Sequence, residues 1–251
     1  MLPDITILLI TFNRPIPIRK TLDALKANLQ YAGNIEYLIA DDSTGGSYLA
    51  DIARDYSDVT VSSTPRNGGW GMNANFHIAM CATDIFFMCE DDQVLTRKLD
   101  LNPGVALLLN NSRIGMIRYG GLAGHIGMNF TMFEQDIHNL VPTFEQGLLY
   151  IPRYQYLEIN PIGGGYAAFT YSNRPNLRHK RFHSHYGYYL EGYRLGDTEL
   201  EYTMRVREIM NKEPNASRIV VPIDWLTNHF SDIGDSYQHT AFDKGKRLES
   251  L

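Results

Sequence analysis

From Ile5 to Ile10 the chain reads Ile-Thr-Ile-Leu-Leu-Ile, nearly unbroken in aliphatic and β-branched side chains. A strand with one wet face alternates apolar and polar residues. A continuous run belongs to a strand covered on both faces, as in a parallel sheet. The next segments keep to that plan. Ile18, Leu22, Leu25 and Leu29 recur at helical spacing, and Ile35 to Ala40 is a second apolar run. Tyr48 to Tyr56 reads as a helix, Val59 to Val61 as a short strand, and Ile85 to Cys89 as another buried strand. The order β-α-β-α-β predicts an α/β fold with a Rossmann-like, mostly parallel central sheet flanked by helices. A chain of 251 residues is long enough to bury a large core on both faces of such a sheet.

The last of these strands runs straight into Glu90-Asp91-Asp92. Three adjacent carboxylates repel one another unless a positive charge sits among them. Mn²⁺ or Mg²⁺ suits the position, since both favour carboxylate oxygens and bridge them to substrate phosphates. An acidic turn after a strand is the plainer alternative. In open α/β sheets, ligands bind beyond the carboxyl ends of the strands. Here those ends carry Thr11 to Arg14, Asp41-Asp42, and Glu90 to Asp92. Pro65 to Asn75 adds a Gly-rich loop leading into a helix through Ala82, a backbone suited to close approach of an anion. No Gly-Lys-Ser/Thr ends it, so it is not a P-loop, and it follows the third strand, so it is not the dinucleotide fingerprint.

The bulk numbers exclude more than they assign. A net charge of −5 gives no global pull toward nucleic acid or acidic membranes. Two cysteines, Cys81 and Cys89, make neither a disulfide scaffold nor a zinc site, and a reducing cytoplasm is expected. No apolar run approaches the ~20 residues that a membrane-spanning helix needs.

Together, four motifs in this order resemble the nucleotide-sugar-binding half of a GT-A glycosyltransferase, most like family 2, over the first ~95 residues. They are Thr11-Phe12-Asn13-Arg14 after the first strand, Asp41-Asp42-Ser43 after the second, Asn67 and Gly69 with Asn75 on the next helix, and Glu90-Asp91-Asp92 at the DxD position. Glu90 stands where the motif's first Asp is usual, and a longer carboxylate still reaches a ribose or a metal. The resemblance implies a GT-A (nucleotide-diphospho-sugar transferase) fold over 1–251, with a donor half, 1–95, and an acceptor half, 96–251. It implies that Asp41 hydrogen-bonds the base, that Thr11 to Arg14 cradle the nucleoside, and that Asp92 binds Mn²⁺ or Mg²⁺ on the diphosphate. Glu90 would contact ribose or metal.

Past Asp100 the patterns weaken. Val105 to Asn111 reads as a helix and Ile114 to Tyr119 as a strand, and Leu148 to Ile159 suggests a hairpin strand. Pro161 to Thr170 resembles the family's acceptor-side Gly-rich turn and strand. Between Arg174 and Tyr189, Arg174, Arg178, His179, Lys180, Arg181, His183 and His185 are interleaved with Phe182, Tyr186, Tyr188 and Tyr189. The favoured reading is a solvated loop; stacking on nucleic acid or holding a diphosphate is the other.

Glu191 to Leu200 then leads into a helix over Leu200 to Met210, and capping alone would explain the acids there. In family 2 a Glu-Asp pair opens the corresponding helix, and its Asp is the catalytic base. Asp197 matches that Asp, Gly196 replaces the preceding Glu, and Glu199 is the acid two positions on. Asp197 is the preferred base and Glu199 the alternative. Ile219 to Ile223 reads as a last strand. The resemblance implies a downstream His as third metal ligand, for which His229 is the candidate, with a packed or capping histidine as the alternative. The tail, 231–251, reads as a polar closing segment.

The resulting expectation is a metal-dependent inverting glycosyltransferase, with a nucleotide-sugar (a UDP-sugar by default) as donor. Its acceptor would be a carbohydrate or other hydroxyl compound. A hydroxymethylated base in DNA is the alternative acceptor, a nucleotidyltransferase or a non-catalytic nucleotide-sugar-binding protein the alternative class.

Overall fold

The computed structural model of the chain describes residues 2–43, 45–119, 129–132, 156–160, 170–222, 224 and 229–234. The elements of the first half run β1 (Ile5–Thr11), α1 (Pro15–Asn28), β2 (Leu29–Gln30), β3 (Ile35–Asp41), α2 (Tyr48–Asp55), β4 (Val59–Ser63), α3 (Gly69–Met80) and β5 (Ile85–Glu90). Then come β6 (Gln93–Leu95), β7 (Leu99–Asp100), α4 (Asn102–Asn110), β8 (Ile114–Arg118), β9 (Asn129–Met132) and β10 (Tyr156–Asn160). The last are β11 (Asn176–His179), α5 (Arg181–Tyr186), α6 (Leu195–Lys212), β12 (Arg218–Pro222) and β13 (Phe230–Asp232).

Nine strands form one sheet in the order β4-β3-β1-β5-β11-β8-β12-β10-β9. β4, β3, β1 and β5 are mutually parallel, and β1 and β5 carry the near-continuous apolar runs expected of strands covered on both faces. β11 is antiparallel to both its neighbours, β5 and β8. β8 and β12 are parallel, and β10 is antiparallel to β12 and β9. The sheet is thus mixed: seven of its nine strands run in one direction, and its eight pairings divide evenly between parallel and antiparallel.

Because side chains alternate across a strand, β1 feeds two separate cores. Ile5, Ile7 and Leu9 pack with Ile18, Leu22 and Leu25 of α1 and with Val105 and Leu108 of α4. Leu8 and Ile10 pack with Trp70, Ala74 and Ile78 of α3, Phe182 of α5, and Tyr202 and Val206 of α6. The fold is three-layered, and its carboxyl edge is where β1, β3 and β5 all end.

Several boundaries differ from the sequence reading, two of them at helices that frame the site. α1 begins at Pro15 rather than Ile18, since Pro is tolerated in the first turn, where its missing N–H has no intrahelical partner. α6 begins at Leu195 rather than Leu200, so Asp197 and Glu199 lie inside the helix. Of the Gly165 to Thr170 strand expectation only Thr170 lies within the described residues, as does only the end of the Leu148 to Ile159 one. Most of the tail lies outside them too.

The larger correction concerns residues 174–189. They are not a solvated loop: they form β11, inside the sheet, and α5, packed beneath it. Arg178 is fully buried, as are Phe182, His183, Tyr186 and Tyr189. Arg178 donates to Asn176 Oδ1 (2.7 Å), His183 Nε2 (2.9 Å), Tyr189 Oη (2.7 Å) and Tyr171 Oη (3.2 Å). Of the four aromatics offered as base-stacking platforms, only Tyr188 is exposed. The nucleic-acid reading loses its footing with them.

His183 accepts from Arg178 at Nε2, so its proton resides on Nδ1, 3.2 Å from the Gly187 carbonyl. Burial, then the charge of Arg178, holds its pKa well below the ordinary value. The unfolded chain takes up that proton near pH 6.5 and the folded chain does not. The resulting stability is therefore complete above about pH 6.5 and is lost progressively as pH falls toward the depressed folded value. Urea unfolding at pH 7.5 and 5.5 should show wild type losing more stability than His183→Gln, by up to about 1.4 kcal/mol per pH unit. The difference between the two proteins isolates this group from carboxylates titrating in the same range. Equal losses would show that His183 is not held neutral.

Candidate functional site

β1 and β5 lie side by side, with Ile10 opposite Glu90, so the turns that follow them meet. Thr11 donates to Asp91 Oδ2 (2.6 Å), and Asp91 N–H donates to the Ile10 carbonyl (3.1 Å). From the other side Arg14 Nη1 donates to Asp91 Oδ1 (2.8 Å) and to Asp92 Oδ2 (2.9 Å). Gln93 Nε2 reaches Asp92 Oδ1 (3.3 Å), and Thr21 of α1 holds the Asp91 carbonyl (2.7 Å). Arg14, Asp91 and Asp92 are all buried. Burial pushes Asp91 up to about 7 against the pull of Arg14 and Thr11. Burial would lower Arg14, but Asp91 and Asp92 outweigh it and its pKa is raised.

Glu90 differs from its neighbours. Its carboxylate accepts no hydrogen bond among the described residues, and burial, then Asp92, Glu199 and Asp91, push its pKa well up, with Arg174 pulling the other way. A cation would relieve it. Among the described residues no three acids or imidazoles converge tightly enough to hold an ion by themselves. A Mg²⁺- or Mn²⁺-type site needs only one or two protein carboxylates, since it shares the ion with substrate phosphates. The carboxylates that could contribute to such a site are Glu90 and Asp92.

His229 is not brought to this cluster. β13 pairs with β6 in antiparallel register, Asp232 opposite Gln93 and Phe230 opposite Leu95, and Ile233 N–H donates to the Asp92 carbonyl. His229 therefore lies opposite Thr96, four ladder positions and about 13 Å from Asp92. Its Nε2 is 3.0 Å from Arg97 Nη1, and burial and that charge lower its pKa. The expected third ligand is a strand-end histidine engaged elsewhere.

At the end of β3, Asp41 accepts from Tyr48 Oη (2.7 Å) and Ser63 Oγ (3.1 Å) and is fully buried. Asp42 accepts from Thr64 Oγ1 (3.0 Å) and from the amides of Gly68 (2.9 Å) and Gly69 (2.7 Å). Both carboxylates thus shape the edge: Asp42 satisfies amides at the start of α3, which a helix leaves unpaired. Asn13 and Ser43 turn the chain away from β1 and β3 with φ of 50° and 54°, unusual for non-glycine residues. Phe12 is half-buried and its amide donates to Asp91; Asn13 and Asn67 are exposed.

Asn75 donates to the Tyr189 carbonyl (2.9 Å) and accepts from its amide (2.9 Å), tying α3 to the segment before α6. The strand ends themselves are clamped by Asn73, which sequence reasoning missed: its Nδ2 donates to the carbonyls of Ala40 (2.9 Å) and Thr11 (3.2 Å). Two asparagines two residues apart on one helix gave no signal to tell them apart. Gly69, at φ +82°, opens the helix. A Cβ on Gly71 would stand 2.2 Å from the Leu190 carbonyl, so the segment before α6 lies this close to the first turn of α3 only because this residue has none.

α6 carries the two candidate bases on different faces. Glu199 Oε1 accepts from Ser172 Oγ (3.0 Å) and Asn173 N–H (2.7 Å), and its charge bears on Glu90. Asp197, in the first turn and half-buried, accepts no hydrogen bond among the described residues.

Residues 6–121 match the family described as Glycosyl transferase family 2. Among curated proteins none matches the chain by sequence. Two solved structures are similar in fold. One is Staphylococcus aureus TarS 1-349 in complex with UDP-GlcNAc (12% identity, TM-score 0.62, 95% of this chain, 60% of that one). The other is the mannosyltransferase PcManGT from Pyrobaculum calidifontis in complex with GDP-Man and Mn²⁺ (13% identity, TM-score 0.53, 88% of this chain, 55% of that one). The chain spans little more than half the length of either. No helix among the described residues is long and apolar enough to cross a membrane.

Proposed function

Since residues 6–121 carry the family 2 glycosyltransferase pattern and the chain takes the GT-A fold, we propose that it is a metal-dependent inverting glycosyltransferase using a nucleotide-sugar. The observation that supports this best is the meeting, at one sheet edge, of Thr11 to Arg14, the acids 90–92 and Glu199 from α6. Residues 1–95 are the donor half and 96–251 the acceptor half of one GT-A domain. A UDP-sugar is the proposed donor and a carbohydrate or other hydroxyl compound the acceptor. Cys81 and Cys89, both buried free thiols, suit a reducing cytoplasm, which is part of the same proposal.

Glu90 and Asp92 would hold Mn²⁺ or Mg²⁺ together with the donor's phosphates. The ion would supply Lewis-acid stabilisation of the leaving nucleoside diphosphate. The turn after β1 positions the nucleoside, while the amides of Gly68 and Gly69 at the start of α3 are already engaged by Asp42 and serve the shape of the edge. Asp197 takes the proton from the acceptor hydroxyl as that oxygen attacks the anomeric carbon opposite the leaving group. Glu199, bound to the turn at Ser172 and Asn173, fixes the acceptor-side wall beside it.

Melting temperatures measured with UDP, GDP, CDP and ADP, each with and without Mn²⁺, test the donor half. UDP with Mn²⁺ is expected to raise the melting temperature, since a ligand at 100 times its Kd adds about 2.7 kcal/mol of stability. No shift with any diphosphate, in either condition, would sink the proposal.

A further inference from the structure

The acidic turn already contains a cation. Arg14 is 6% exposed, and a single nitrogen, Nη1, bridges Asp91 Oδ1 and Asp92 Oδ2. The remaining oxygens are also engaged, Asp91 Oδ2 by Thr11 and Asp92 Oδ1 by Gln93. A divalent ion arriving alone would meet, on both aspartates, oxygens that each already accept a hydrogen bond, and among the described residues only the Glu90 carboxylate accepts none. It would compete with a buried guanidinium for these carboxylates, and separating a buried ion pair leaves uncompensated charge. Among the described residues, two nitrogens of the same guanidinium, Nε and Nη2, are buried without a hydrogen-bond partner. Unsatisfied buried donors are costly and call for acceptor oxygens. A nucleoside diphosphate brings both items that are lacking: oxygens for those donors, and negative charge that lets Arg14 and a divalent ion share one site.

We infer that Arg14 is the resident counter-ion of the acidic turn, holding Asp91 and Asp92 closed against a free divalent cation, so that the ion enters only with a nucleoside diphosphate. This rests on the proposed nucleotide-sugar site and adds the residue that makes metal uptake conditional. By linkage, the factor by which the diphosphate tightens Mn²⁺ equals the factor by which Mn²⁺ tightens the diphosphate.

Mn²⁺ binding to the wild-type chain is measured by calorimetry and by the paramagnetic resonance of the free ion, alone and with saturating UDP or GDP. The expected result is weak uptake alone and uptake stronger by roughly 5–150-fold with one of the diphosphates. Arg14→Gln, checked for cooperative unfolding, is expected to bind Mn²⁺ alone at least about tenfold more tightly than wild type and to lose most of the coupling. If wild type takes Mn²⁺ alone as tightly as with the diphosphate, the inference is overturned and the nucleotide site stands. A folded Arg14→Gln that binds Mn²⁺ no better than wild type overturns it equally. If neither UDP nor GDP binds in any condition, the proposed function fails and the inference with it. Should Arg14→Gln not fold, the wild-type comparison still decides.

Discussion

Asp197→Asn is expected to lower turnover by about 10²–10⁴-fold while leaving the affinity for donor nucleotide unchanged, the loss typical when a positioned general base is removed. The substitution keeps the shape of the side chain and removes only its capacity to take a proton. Nothing in the fold hangs on that carboxylate, which accepts no hydrogen bond among the described residues. Glu199 is the control. Two residues apart on a helix means a rotation of about 200°, so the two acids face different surroundings. Glu199 spends Oε1 on Ser172 and Asn173, and a Gln Oε1 can accept the same two bonds, weakened by the loss of charge. Glu199→Gln is therefore expected to cost about tenfold, about 1.4 kcal/mol of positioning. Release of nucleoside diphosphate under saturating donor measures turnover, and nucleotide-induced melting shifts measure binding. If the order reverses, with Glu199→Gln inactive and Asp197→Asn nearly intact, Glu199 is the base and its anchored oxygen orients it.

The parallel half of the sheet, and with it the edge that carries the candidate site, was legible because burial on both faces leaves a mostly apolar run, and each run ends at the sheet's carboxyl edge. Ile5–Thr11, Ile35–Asp41 and Ile85–Glu90 all show this. β11 has no such signature. Asn176-Leu177-Arg178-His179 holds one apolar residue in four, yet it lies between β5 and β8 at the centre of the sheet. Its charge is accommodated by Tyr171, His183 and Tyr189, contacts between residues five to eleven positions from it, which no local period encodes. His229 failed for a related reason. Its distance from Asp92 is set by the register of β6 against β13, and a three-residue ladder leaves no pattern to read. Arg14 was read as part of the nucleoside cradle. Its pairing with Asp91 and Asp92, 77 and 78 positions on, follows from the adjacency of β1 and β5, a property of the sheet order and not of the motif.

Arg178→Ala is expected to destabilise the fold by about 3–5 kcal/mol, the range for large truncations in a core and for broken buried charge networks. Two effects oppose each other. Burying a guanidinium carries a desolvation penalty, which the substitution removes. Against this stand four hydrogen bonds of 2.7 to 3.2 Å to Asn176, His183, Tyr189 and Tyr171, and the ring faces of Phe86, Tyr171 and Phe182 at 5.8, 5.4 and 5.7 Å. Truncation leaves a cavity among those rings and takes a donor from each acceptor, and each buried group left unsatisfied costs about 1–3 kcal/mol. Tyr171 and Tyr189 keep each other as partners, while His183 Nε2 and Asn176 Oδ1 lose the partner that Arg178 supplied. The loss therefore exceeds the gain. Arg178→Met separates the contributions, because it refills most of the volume and removes the charge without restoring a donor. Urea midpoints should rank wild type above Arg178→Met and Arg178→Met above Arg178→Ala. A Met variant at or above wild type would mean that the guanidinium is a net burden to the fold and that packing volume alone accounts for the Ala loss. An Ala variant within about 1 kcal/mol of wild type would mean that the cluster around β11 relaxes and is no keystone of the sheet.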